Sequence, residues 1–215
     1  MKHLISLIHI CSSLNWELDT EIYQSGYEYD IILSEPKKLV DQNNPRNFPI
    51  PQDEILASNN NMALNYCNGR FFFAWRTSET HFASEKSRLH IVSTTSLEFE
   101  NWEFELTIFE NTDLREPYFV CFDDELSFSY FKAGKNTFAF EVDHSYRISR
   151  LGFNNWTSPE IVSHDSEAFW QQTIENGTLY STSYSGMHYS SGGAGQVRKP
   201  SYKQFFLFGL PPNPG

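Results

Sequence analysis

An all-β fold is what this chain predicts, and three observations carry the prediction. Aromatic residues are abundant, with 19 Phe, 11 Tyr and 5 Trp among 215 residues, and Phe and Tyr favour pleated, half-buried surfaces. No segment sets apolar residues at helical spacing between helix caps. The chain also repeats itself. The stretches "NGRFFFAWR" (68–76), "DDELSFSYF" (123–131) and "NGTLYSTSY" (176–184) each join a turn pair to a strand of alternating aromatic and small residues.

Those turn pairs begin at 68, 123 and 176, so they are spaced by 55 and then 53 residues. A second element keeps the same phase. "TSLEFENW" (95–102) and "SRLGFNNW" (149–156) share one pattern of Leu, Phe, Asn and Trp, and Trp102 and Trp156 lie 54 residues apart. Each unit reads as an apolar strand, a tight Asn-Gly or Asp-Asp turn, an alternating strand, a third strand and a turn closed by Trp. Units of about 50 residues with roughly four strands each are β-propeller blades. A β-sandwich would not require the Trp turn to recur in phase. The organisation is therefore a single propeller-like domain over 1–215, its blades clearest at 59–110, 114–162 and 165–215. Trp102 and Trp156 are expected to pack between sheets as core.

The formal net charge of −11 excludes nucleic acid as a partner, because a phosphate backbone is bound by surplus Lys and Arg. Neutral sugars, cations and basic partners remain. No apolar run approaches the roughly 20 residues of a membrane-spanning helix. Cys11, Cys67 and Cys121 are odd in number and widely spaced, so buried free thiols are expected rather than a disulfide framework or a zinc site. The opening "MKHLISLIHICSS" reads as a signal peptide or a first strand. It lacks a small-residue cleavage pattern, which favours the strand and leaves the compartment open. The two N-x-T sequons, at Asn155 and Asn176, matter only in a secreted protein. No cofactor is implied: "GGAG" (192–195) lacks the Lys-Ser/Thr of a phosphate loop. No metal is assigned either, since His164 and Asp165, adjacent on a strand, point to opposite faces.

The stretch "REPYFVCFDDELSFSYF" (115–131) resembles the Asp-Pro, strand, turn, Tyr-rich strand pattern of five-bladed propeller glycoside hydrolases, the arabinanase/xylosidase and invertase groups. "SLEFENW" is similar to a turn of the same enzymes, and "EAFWQQTIENGTLYSTSYS" (167–185) to their Glu-x-Pro segment. "FFFAWRTSETHFASEKSRLHIVST" (71–94) resembles sialidase-like propeller proteins. The resemblance spans residues 59–190. It implies a five-bladed propeller, whereas a period of 54 fits at most four times into 215 residues. An incomplete ring, or one completed by association, is the expectation.

Such enzymes carry carboxylates at the inner ends of the first strands of successive blades. Carried over, Glu116 matches the substrate-orienting carboxylate and Glu167 the general acid. Hydrolysis of a glycosidic bond needs one carboxyl to protonate the leaving oxygen and a second to attack or to activate water. Arg115 is placed to hold Glu116 ionised and to grip a sugar through its planar fork. One blade earlier the equivalent position is Asn61, which cannot act as a base; Asp19, Glu21 or Asp53 would have to serve. The third segment has Ala168-Phe169 where the family has Pro. A sialidase-type site would instead gather arginines, with Arg76 and Arg115 as two and Arg150 or Arg198 as a third. Arg76, following an aromatic strand, requires a partner such as Glu79 or Glu116. His81 and His188 stand in polar loops as further sugar contacts. Two functions follow: glycosidic hydrolysis by Glu116 and Glu167, or a non-catalytic carbohydrate-binding or interaction propeller that lost its base. Sugar identity, stereochemical outcome and oligomeric state are not specified by these residues.

Overall fold

The computed structural model describes residues 39–40, 48–136, 142–175, 178–185 and 201–208. The chain divides into two compact units, Met1–Leu39 and Val40–Gly215, and every element named here lies in the second. Its described residues are all-β apart from a 3₁₀ turn at Gln52–Glu54. Strands β1 (Ser58–Cys67), β2 (Arg70–Ser78), β3 (Arg88–Thr94) and β4 (Glu103–Ile108) form the first sheet in chain order. The second sheet runs β5 (Leu114–Phe122), β6 (Glu125–Lys132), β7 (Ser145–Gly152), β8 (Asn155–Trp156), with β9 (Glu160–Ile161) also paired to β7. The third holds β10 (Glu167–Glu175), β11 (Thr178–Ser185) and β12 (Ser201–Phe208). Among the described residues all pairings are antiparallel. Each sheet is the up-and-down meander of a propeller blade, and among the described residues these blades do not amount to a five-bladed ring.

The hairpin turns follow from local chemistry. Asn68 and Gly69 take φ of 46° and 80°, the pair of left-handed residues that a two-residue hairpin demands. Asp123 and Asp124 do the same at 49° and 64°, using the tolerance of Asp for that region. Asn176-Gly177 lies outside the described residues.

Strand β2 reads as an unbroken aromatic run because both its faces are covered. Phe72 and Ala74 face the second sheet, in a core with Leu89, Ile91, Phe119, Phe128 and Tyr130. Phe73 and Trp75 face the other way, against Phe48 and each other, and Phe73 also meets Trp102. Burying each such side chain stabilises the fold by about 1.5–3 kcal/mol. Trp102 is buried, as a core role requires, and its indole N–H donates to the Phe99 carbonyl at 2.9 Å. Trp156 packs, partly buried, against the core on the opposite face of β2, the one that holds Phe72 and Ala74.

The first strands β1, β5 and β10 run side by side, and the ties between them keep the period of the sequence. Asn65 Nδ2 donates to the Phe119 carbonyl across 54 residues. Tyr118 Oη donates to the Gln172 carbonyl, again across 54. Cys67 and Cys121 sit at the same separation with Cα atoms 5.6 Å apart and form a disulfide. This corrects the expectation of free thiols. Two cysteines one period apart occupy matching places on neighbouring first strands, so the repeat itself brings them together. Closing a loop of that length stabilises the fold by about 4 kcal/mol in the chain-entropy model.

Candidate functional site

Each first strand carries an irregularity near its head. In β1 the register slips between Asn60 and Met62, leaving Asn61 as the extra residue at φ 44°. In β5 it slips between Arg115 and Tyr118, and Glu116 stands there at φ 49°. In β10 it slips between Phe169 and Gln171, leaving Trp170. A bulge of this kind bends its strand and re-aims a side chain. Asn accepts a left-handed backbone readily; Glu does so at a cost of about 1–2 kcal/mol. Pro117, which has no N–H to lose from the ladder, fits the break in pairing. The strained glutamate is the observation that marks this place as a site.

Glu116 and Asn61 are joined directly: Asn61 Nδ2 donates to Glu116 Oε1 at 2.8 Å. Burial pushes the Glu116 carboxyl above the usual range, and the Arg115 charge and the Asn61 hydrogen bond only partly offset it. Beside them, Asn60 Nδ2 lies 3.2 Å from His81 Nδ1, so that ring nitrogen acts as the acceptor. Asn60, Asn61, His81 and Glu116 thus gather at one rim.

Arg76 and Arg115 support this rim from beneath. Arg76 is fully buried and has neither Glu79 nor Glu116 as its partner. Its Nε and Nη2 donate to Asp113 Oδ1 at 3.0 and 2.5 Å. Glu79 pairs with Lys86 instead. Arg115 Nε donates to the second oxygen of the same aspartate at 2.5 Å. The two guanidinia then reach loop carbonyls: Arg76 those of Thr80 and Phe82, Arg115 that of His81 at 2.8 Å. One buried carboxylate therefore organises two arginines, and the arginines fold the 79–83 loop down to the strand heads. Asp113 was not singled out by the sequence, although it stands one period of 54 before Glu167.

Glu167 occupies the place in its blade that Asp113 holds in the preceding one. It opens β10, is 6% exposed, and accepts from Ser183 Oγ and, at 3.0 Å, from the His164 backbone N–H. The residue one period after Glu116 is Trp170, which is 54% exposed. Counting through with a constant 54 would have found both Asp113 and Trp170. The resemblance drew attention to the glutamate three residues earlier. Arg150 lies elsewhere, holding buried Glu105 through two donors at 3.0 Å each. Asp165 accepts from or pairs with His144 Nε2 at 2.8 Å, and no group of three metal-ligating side chains occurs among the described residues. Among them, too, no helix is long and apolar enough to cross a membrane. His188, Arg198, Asp19 and Glu21 lie outside the described residues.

No family model and no curated protein matches this sequence. Among solved structures, the chain is similar to native Bacillus subtilis arabinanase Arb43A with a TM-score of 0.27 and 11% identity, over 57% of this chain and 66% of that one.

Proposed function

We propose that the rim formed by Asn61, His81 and Glu116 binds a neutral carbohydrate without cleaving it. The observation that carries this is the strained, half-buried Glu116 held by Asn61 at matching bulges of neighbouring first strands. A carboxyl and an amide side by side offer acceptors and donors suited to sugar hydroxyls. A neutral ligand fits better than an acidic one. Arg76 and Arg115 are engaged by Asp113 and by loop carbonyls, and the chain carries a net charge of −11. Binding fits better than hydrolysis because the three bulge stations hold Asn61, Glu116 and Trp170, a single carboxylate where the reaction takes two. Glu167, the acid implied by the resemblance to five-bladed glycoside hydrolases, is braced by Ser183 and a backbone N–H.

A second reading, glycosidic hydrolysis with Glu116 and Glu167, draws support from the raised pKa of Glu116. A carboxyl that keeps its proton to higher pH is suited to general-acid work. Calorimetric titration with neutral oligosaccharides, run beside a release assay on aryl-glycosides, separates the two. Saturable binding without turnover, weakened in Glu116→Gln, is the expected result. Turnover lost in both Glu116→Gln and Glu167→Gln would establish hydrolysis instead, and absence of both binding and turnover would end the carbohydrate reading.

A further inference from the structure

The disulfide between Cys67 and Cys121 bears on where the chain matures. Its cysteines stand on neighbouring first strands with Cα atoms 5.6 Å apart, and Cys67 is only 3% exposed. That separation is one a disulfide spans without moving the backbone. Buried structural disulfides form and persist in oxidising, exported settings and are rare in the cytosol. In such a setting the triplet Asn155-Trp156-Thr157 gains a meaning. Asn-x-Thr, with x other than Pro, is the acceptor pattern for an asparagine-linked glycan.

The fold puts this triplet where a glycan has room. Asn155 and Thr157 are exposed, whereas Trp156 between them packs against the core. Asn155 belongs to the two-residue strand β8, last in the order of the second sheet, and pairs back with Gly152 of β7. Thr157 closes the corner. Its N–H donates to the Ser149 carbonyl and its Oγ1 accepts from the Ser149 N–H, each at 2.9 Å. On the same corner Leu151 and Phe153 are 65% and 54% exposed. The first sheet repeats the corner without the signal: Asn101 stands 54 residues before Asn155, but Glu103 takes the place of the threonine. The corner also lies at the end of its sheet away from Glu116. Ser149 of β7 pairs with Ser127 of β6, and Leu126 pairs with Cys121 near the tail of β5.

We propose that Asn155 carries an N-linked glycan, which covers the apolar corner of Leu151 and Phe153 and the outer edge of β8. The donor is an oligosaccharide joined through diphosphate to a lipid, presented by a transferase of the export pathway. The Asn155 amide nitrogen bonds to the anomeric carbon as the bond from that carbon to the diphosphate oxygen breaks. The lipid diphosphate leaves with the electron pair, and the amide gives up one proton. A glycan is bulky and solubilising, which suits a surface position. At the end of a sheet it also keeps another chain's strand from pairing with the exposed edge. Attachment here is independent of any sugar bound at the Glu116 rim.

The test exports the full chain, carrying Asn176→Gln so that one acceptor triplet remains, from cultured eukaryotic cells behind a cleavable leader. Peptide mass spectrometry is expected to find a glycan on Asn155. Release by peptide N-glycosidase should leave aspartate at that position and shift the chain to the mobility of the bare polypeptide. Thr157→Ala is expected to lose the glycan and Thr157→Ser to keep it, since serine also completes the acceptor pattern. The mass measurement is made with Asn155 and Thr157 intact, so it stands even where Thr157→Ala does not fold. Titration of the denatured, unreduced protein should count one free thiol among its three cysteines. Three free thiols would overturn the oxidising premise and the proposal with it. Exported, disulfide-bonded chain with a bare Asn155 would overturn the glycan. Enzymatic release from the native protein should raise the fluorescence of a dye that binds apolar surface, and no rise would overturn the covering of Leu151 and Phe153.

Discussion

Deep in the first sheet, His90 has given up its charge. It has no exposed surface, its Nδ1 lies 2.9 Å from Thr107 Oγ1 and its Nε2 lies 3.2 Å from the Glu54 carbonyl. Burial depresses its pKa to about 4, with the Glu54 hydrogen bond opposing and the Arg88 charge assisting. Below pH 6.5 the unfolded chain takes up a proton here and the folded chain does not, down to about pH 4. Stability should therefore fall as pH drops through that window, by about 3 kcal/mol in total. Urea midpoints of the native chain and of His90→Gln, compared at pH 7.5 and pH 4.5, should show a smaller loss in the variant. The sequence marks no such residue, because "RLHIVST" states neither that both faces of β3 are covered nor what lies opposite. Asp113 escaped for a similar reason. In "NTDLREP" it reads as a turn residue, and its importance comes from Arg76, which lies 37 residues away in sequence.

Turns were legible and bulges were not, and the difference is physical. A left-handed pair such as Asn68-Gly69 is dictated by its own two residues, whereas a bulge exists only relative to the partner strand. Nothing local in "ASNNNMALNY" or "EAFWQQT" announces that Asn61 or Trp170 will stand unmatched. The 79–83 loop is likewise governed from outside, by the Arg76–Asp113–Arg115 group at its base. Removing the shared carboxylate leaves a buried guanidinium without its counter-charge, which costs about 3–5 kcal/mol. Asp113→Asn should lose stability on that scale and speed amide exchange across residues 79–83. Glu79→Gln, which breaks the exposed pair with Lys86, should cost less than about 1 kcal/mol. Equal effects of the two substitutions would show that the loop is not held from beneath.

At the scale of the whole molecule, the 54-residue period was legible because each blade must solve the same packing problem. Aromatic strands, tight turns and Trp-closed corners recur wherever sheets stack on one another. What the period also specifies, and what the cysteine count concealed, is that residues one period apart become neighbours. The Cys67–Cys121 bond is the covalent case of that rule. It has a consequence for a molecule that has been cut. Leu97, 63% exposed in the turn before β4, lies between the two cysteines, whereas Leu151 and Phe153, equally prominent in the next blade, lie beyond them. A protease that cleaves after large apolar residues can open the chain at either place. Cleavage at Leu97 should leave the two pieces migrating as one band on a denaturing gel until thiol is added; cleavage at Phe153 should release a separate fragment with or without it. A nick in one blade would then be invisible to size, and a nick in the next would break the molecule in two.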